Sequence, residues 1–301
     1  MRFVSVNHRG RVVAGLWLAE GILDLAAAAR LNGENAPMST VLDIIRGGSS
    51  VYAAVKRLGA RARDLGAAFL AHDEVELLAP IPNPARNIIC VGRNYLDHVA
   101  EGYKARGTDM KLPEVPQFFS KATHAMNSST GDVRLDLRVT DKLDYEVELA
   151  VVLGRGGRDI DPARAYDHVF GYAVANDVTA RDLQRRHEQW FKGKSLDTSF
   201  PFGPWIIDRE EIGDPTTLEL VMTVNGEERQ RARVAQMIFD IPSVIASLSA
   251  GLTLEAGDII STGTPSGVGY AMTPPRVLRH GDLMVASIDR IGELSNRVVE
   301  L

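Results

Sequence analysis

A single cysteine, Cys90, stands in 301 residues, so no internal disulfide is possible and a thiolate metal cluster is excluded. Its neighbours Ile88, Ile89 and Val91 are apolar, which suits a buried, inert thiol rather than a nucleophile. Positive charge is also in short supply. With 34 Lys and Arg against 39 Asp and Glu, the net charge is -5, and no basic stripe gives a nucleic acid or an anionic membrane an electrostatic foothold. No stretch reaches the roughly 18 consecutive apolar residues of a membrane span. The N-terminus lacks the apolar core of a signal peptide. A cytoplasmic location is the resulting expectation. Missing too are a P-loop, a dinucleotide fingerprint, HExxH and G-x-S-x-G, so neither zincins nor α/β-hydrolases are indicated. No internal repeat or low-complexity tract occurs.

The 45% hydrophobic and 24% charged content is that of a globular protein large enough to bury a sizeable core. Residues 1–78 read as a small α/β unit. Phe3 to Val6 and Val12 to Leu18 suggest strands about the Arg9-Gly10 turn, and Leu25–Leu31 and Val51–Leu70 carry helical apolar spacing. Pro80, Pro82 and Pro84 then mark a linker over 79–85, since prolines this close fit neither a helix interior nor a central strand. From 86 to 301 the character is strand-rich. Apolar runs at 87–92, 145–154, 168–176, 218–224, 258–262 and 283–291 are separated by glycine-rich turns, and Asn225-Gly226 marks a hairpin. Helices are expected at 95–106, 180–188 and 241–249. The fold class is therefore α+β and β-rich, with a closed or sandwiched core.

The segment Leu143-Asp-Tyr-Glu-Val-Glu-Leu149 is the most informative. Strand alternation places Glu146 and Glu148 on one face, where two carboxylates repel unless a cation lies between them. A solvent-facing strand is the commoner cause of such alternation. Another apolar strand, however, ends in Asp177, and three oxygen donors without nearby Cys or paired His favour magnesium or manganese over zinc. His98 and Glu101 stand at i and i+3, close enough on a helix for the carboxylate to orient the imidazole as a base; an exposed surface pair has the same spacing. Lys194, in Trp-Phe-Lys-Gly-Lys-Ser, is either a fixed cleft charge or one more solvated loop lysine. The loop from Ser261 to Gly269 reads as a tight strand end whose backbone can approach a ligand.

Taken together, Val-Gly-Arg-Asn-Tyr, Asp-Tyr-Glu-Val-Glu-Leu, Ala-Asn-Asp-Val-Thr-Ala-Arg-Asp, Lys-Gly-Lys-Ser, Pro-Phe-Gly-Pro-Trp, Val-Asn-Gly-Glu and Thr-Gly-Thr-Pro-Ser-Gly-Val-Gly, in that order over residues 86 to 300, resemble the fumarylacetoacetate hydrolase family. The resemblance implies a catalytic domain built on a mixed β-roll, usually in a homodimer. It implies metal ligation by Glu146, Glu148 and Asp177, a His98–Glu101 lid dyad, an active-site Lys194, and substrate contacts from Arg181, Gln184 and Thr264. The eponymous hydrolases carry one more metal carboxylate just upstream of the lid histidine. Ile89-Cys-Val-Gly-Arg93 has no acid there, which places the chain with the acylpyruvate-like branch.

The reaction this implies is metal-dependent hydrolysis of a carbon–carbon bond in an acylpyruvate-type 2,4-dioxo acid. His98 would activate water, Lys194 would stabilise the oxyanion, and pyruvate enolate would leave. Decarboxylation of oxaloacetate, or isomerisation of a hydroxymuconate-type diacid, uses the same enolate and is the alternative. A non-catalytic ligand-binding protein is the rival from another class. Residues 103–116, with Gly102 and Gly107, are expected to form a lid.

Overall fold

The computed structural model describes residues 1–301. The N-terminal strands β1 (Arg2–His8) and β2 (Arg11–Leu18) form a hairpin whose turn residues Arg9 and Gly10 both have positive φ, and β3 (Gly21–Asp24) extends it. Asp24 then caps α1 (Leu25–Leu31) by accepting from the Ala27 N–H. A reciprocal Thr40/Asp43 capping box starts α2 (Val41–Arg46), and α3 (Gly48–Ala60) follows. The helix expected over 51–70 stops at Ala60. Beyond it the chain tightens into a 3₁₀ turn, and Phe69 and Leu70 pair with Leu23 and Ile22 instead. Strand pairing here overrides a helical apolar spacing.

Leaving aside short strands and turns, the chain continues through β4 (Ile88–Gly92), α4 (Leu96–Arg106), β5 (Gln117–Lys121), β6 (Val147–Leu153), β7 (Val169–Asn176), α5 (Arg181–Arg186), α6 (Phe191–Lys194) and β8 (Phe200–Asp208). Then come β9 (Glu219–Val224), β10 (Glu227–Arg233), α7 (Ile241–Ser249), β11 (Ile259–Ser261), β12 (Leu283–Ile288) and β13 (Gly292–Glu300). Most of these bounds match the expected runs within one or two residues. Asn225 and Gly226, both at positive φ, make the predicted hairpin turn between β9 and β10.

The larger sheet runs Phe69–Leu70, β3, β2, β1, β8, β7, β6, β11, β4, β5. Neighbours are antiparallel except β11 and β4, which are parallel. Its two ends do not meet, so the architecture is a strand-rich mixed sheet and not a closed barrel. The smaller sheet is β10, β9, β12, β13 and the short strand Val133–Leu135. No helix is long and apolar enough to cross a membrane.

Side-chain alternation divides the core. Leu149, Val151 and Leu153 of β6, with Tyr172 and Val174 of β7, pack against Leu220, Met222 and Met284 of the smaller sheet. Ala150, Val152, Ala173 and Ala175 point to the other face and pack in one cluster with Phe3, Leu16, Leu23 and the helical residues Val41, Ile44 and Leu58. Residues 1–78 thus share both a sheet and a core with the rest of the chain. Phe3 is fully buried with its ring 4.9 Å from that of Phe170. Phe3→Ala is therefore expected to cost about 3–5 kcal/mol of unfolding free energy, the usual loss for a buried ring. Chemical denaturation measures it, and a loss below about 1 kcal/mol would mean that β1 does not contribute to the common core.

Candidate active site

Antiparallel pairing of β6 with β7 sets Val147 opposite Asn176, so Glu146 just before one strand meets Asp177 just after the other. The Asp177 N–H donates to the Glu146 carbonyl at 2.8 Å. Glu148 lies two residues along on the same face, and β11 brings Ser261 beside it. Ligand-type oxygens of Glu146, Glu148 and Asp177 lie within 4.8 Å of one another, and all three residues are buried. This is the convergence expected from the sequence.

Three buried cations accompany these acids. Lys194 Nζ donates to Glu146 Oε2 at 2.7 Å and to Asp177 Oδ2 at 2.6 Å. Lys121 Nζ donates to Asp177 Oδ1 at 2.7 Å. Arg181 Nη1 lies 2.7 Å from Glu146 Oε1, while its Nε donates to Asp144 Oδ2 at 2.9 Å. Glu148 receives only neutral donors, the Ser261 hydroxyl at 2.6 Å and the Gly263 N–H at 2.9 Å. Four buried carboxylates therefore face three buried cations, and the surplus negative charge rests on Glu148.

The titration behaviour follows from this imbalance. Burial alone would raise Glu146, but Lys194 and Arg181 outweigh it and hold that carboxyl below the usual range. Burial, aided by the charges of Asp177 and Glu146, pushes Glu148 up to about 8. Such a carboxylate accommodates a divalent cation that would supply the missing positive charge. The donor set is all oxygen, which suits magnesium or manganese.

The acid–base pair is formed as well. Within α4, His98 Nδ1 lies 2.8 Å from Glu101 Oε1, and Glu101 Oε2 accepts from the Gly267 N–H at 2.8 Å. Glu101 thus orients the imidazole and fastens α4 to the glycine-rich loop. His98 lines a cavity of about 470 Å³ together with Glu146, Glu148, Arg181, Lys194 and Thr264.

The expected substrate contacts fare differently. Gln184 lines the same cavity and accepts from Arg181 Nη1 at 3.2 Å. Arg181 Nη2 is buried without a partner, a donor left for a ligand. The Thr264 hydroxyl, by contrast, donates to the Val147 carbonyl at 3.0 Å and accepts from Gln230 at 2.8 Å, so its hydrogen serves the protein. Sequence reasoning missed Lys121 and Asp144. Lys121 closes the run Gln-Phe-Phe-Ser-Lys, where no local signal marks the lysine; only the fold buries its ammonium. Asp144 shares the parity of Glu146 and Glu148, and accepts from the Gly269 and Tyr270 N–H groups as well as from Arg181.

The fumarylacetoacetate (FAA) hydrolase C-terminal family model matches residues 87–299. The chain belongs to the fumarylacetoacetate hydrolase family. Within that family it is similar to oxaloacetate tautomerase YisK of Bacillus subtilis (strain 168), at 45% identity over 99% of this chain and 100% of that protein. The fumarylacetoacetate hydrolase from psychrophilic Exiguobacterium antarcticum superposes with a TM-score of 0.82 at 37% identity, covering 100% of both chains. Maleylpyruvate hydrolase from Sphingobium sp. SYK-6, in complex with manganese(II) and pyruvate, gives a TM-score of 0.76 at 30% identity over 100% of this chain and 99% of that one. The chain is an enzyme of this family.

The raised Glu148 makes a distinctive pH dependence. Between an ordinary value of 4.5 and about 8, the metal-stripped folded chain keeps a proton that the unfolded chain has released. Its stability contribution is therefore full below that window and is lost as pH rises through it. Thermal unfolding of metal-stripped protein across the window should show this fall, and the gain in Tm on adding manganese should grow with pH. Glu148→Gln should remove both trends; a manganese gain independent of pH would contradict this assignment.

Proposed function

We propose that the chain catalyses metal-dependent keto–enol tautomerisation of oxaloacetate, a four-carbon 2-oxo diacid. The observation that carries this reading is the His98 imidazole. Its Nδ1 is held by Glu101, so Nε2 is the nitrogen left for the cavity that also exposes Glu146, Glu148 and Lys194. Support comes from the relative named for oxaloacetate tautomerisation, which matches over the whole chain. A divalent ion held by Glu146, Glu148 and Asp177 would supply Lewis-acid charge toward a 2-oxo carboxylate.

The chain's own groups account for the proton traffic. His98 Nε2 takes a proton from C3, the C–H electron pair becomes the C2–C3 double bond, and the carbonyl pair moves onto the 2-oxygen. The imidazolium then gives its proton up to the 2-oxygen, directly or through solvent, which completes the enol and restores the neutral base; the reverse sequence returns the keto form. Glu101 compensates the imidazolium charge and keeps Nδ1–H as its donor. The unpartnered Arg181 Nη2 and the Lys194 ammonium place positive charge beside the developing oxyanion.

Carbon–carbon hydrolysis, the leading expectation from the sequence, becomes the second reading. The full-length relative favours oxaloacetate, the substrate of the decarboxylation that stood as its alternative, although the reaction in that relative's name is tautomerisation; the match to maleylpyruvate hydrolase keeps hydrolysis in view. Hydrolysis asks His98 to activate a water, and tautomerisation asks it only to move a substrate proton. Loss of CO₂ from oxaloacetate would draw on the same stabilised enolate.

A panel of oxaloacetate enol, acylpyruvates and hydroxymuconate-type diacids, assayed with magnesium and with manganese, separates these readings. Enol-to-keto conversion is expected to be the fastest reaction and to stop on strict chelation. His98→Ala should lower its kcat by roughly 10²- to 10⁴-fold, the usual range for a positioned acid–base group. Acylpyruvate cleavage outpacing tautomerisation would return the assignment to hydrolysis.

A further inference from the structure

We infer that Arg93 binds the second carboxylate of a dicarboxylate substrate and so sets a preference for diacids over 2-oxo monoacids. This rests on the reading above only in taking the same cavity as the substrate site. Charge balance raises the question. Lys121, Lys194 and Arg181 are already engaged by buried carboxylates. Four acids, three cations and a divalent ion sum to one positive charge, which the 2-oxo carboxylate of a substrate neutralises. A second substrate carboxylate finds no counter-charge in that cluster.

Three more arginines, Arg93, Arg106 and Arg185, line the cavity, and none is paired with a protein carboxylate. Arg106 and Arg185 are exposed, so water screens them. Arg93 is half-buried, where its field is stronger. It follows β4 directly with φ at 57°, a left-handed conformation uncommon for a residue with a side chain. Its guanidinium lies 5.8 Å from the Tyr103 ring centroid and 5.7 Å from that of Trp190. Arg106 and Arg185 also lie over rings, at 4.7 Å from Tyr103 and 5.5 Å from Tyr270. Arg93 alone of the three is half-buried between two rings, and these use none of its N–H donors, which remain free for a bidentate grip on a carboxylate. Trp190 in turn packs against Gly92, where an added Cβ would come 2.7 Å from the indole. The wall that holds Arg93 thus tolerates no side chain at the preceding residue.

The test compares malate with lactate on the manganese-loaded chain by calorimetry. Both present a 2-hydroxy carboxylate, and only malate carries the second acid. Arg93→Gln is expected to weaken malate by about 10- to 100-fold, the loss of a charge-assisted hydrogen-bonded pair, while leaving lactate within about 2-fold. Arg93→Lys should restore part of the preference, since a point charge lacks the fork. In parallel, oxaloacetate turnover by Arg93→Gln should lose through KM more than through kcat. An unchanged malate-to-lactate ratio in Arg93→Gln overturns the inference, as does its loss in Arg106→Gln or Arg185→Gln instead. Wild-type chain that discriminates through Arg93 but turns over no oxaloacetate would sink the proposed reaction and leave this subsite standing.

Discussion

Burying three carboxylates within 4.8 Å of one another is strongly unfavourable unless positive charge is supplied, and most of the site's architecture supplies it. Lys194 bridges Glu146 and Asp177, Lys121 takes the other oxygen of Asp177, and Arg181 joins Glu146 to Asp144. The compensation stops one charge short, at Glu148, which only a hydroxyl and a backbone N–H attend. That shortfall is what makes the cluster a candidate metal centre and not merely a salt-bridge network. It also explains why the fold must be stiff there: each charge loses its compensation if its partner moves by an ångström or two.

Stiffness comes from where the acids sit. β6 and β7 are buried on both faces, between the smaller sheet and the N-terminal helices, so the strand ends that present Glu146 and Asp177 have little freedom. The parallel pair β11 and β4 ends on the same side, delivering the Ser261–Gly269 loop and the Arg93–Asn94 turn together. Asn94 locks that junction by donating to the Thr262 and Phe239 carbonyls and accepting from the Phe239 N–H. Helices carry the rest of the site: α5 bears Arg181 and Gln184, α6 ends in Lys194, and α4 bears the His98–Glu101 pair. The pair is fastened to the glycine-rich loop by the Gly267 N–H donating to Glu101, and Val99 and Gly102 are the buried residues of its helix.

The similar proteins carry names for different reactions, among them oxaloacetate tautomerase and maleylpyruvate hydrolase. A rigid, charge-compensated oxygen cluster that favours an enolate is common to tautomerisation, decarboxylation and carbon–carbon hydrolysis. The reactions differ in whether the base must address a C–H or a water. The cavity arginines Arg93, Arg106 and Arg185 lie outside the cluster's own ion pairs.

Local periodicity made much of this legible. Alternation in Tyr-Glu-Val-Glu-Leu put both glutamates on one face, the i, i+3 spacing paired His98 with Glu101, and Asn225-Gly226 declared its hairpin, because each depends only on residues adjacent along the chain. The family motifs then ordered these pieces. Contacts distant in sequence were not readable. Nothing local says that Lys121 reaches Asp177, 56 residues away, or that β1 pairs with β8 and draws residues 1–78 into the common core. The helical spacing of 61–70 yielded to a strand partner, and the Thr264 hydroxyl turned out to be occupied by Val147 and Gln230. The sequence by itself determined which residue types could do the chemistry and which faces they occupy. Only the tertiary structure decided how many charges oppose one another in the buried cluster, because that sum depends on which strand ends are brought together.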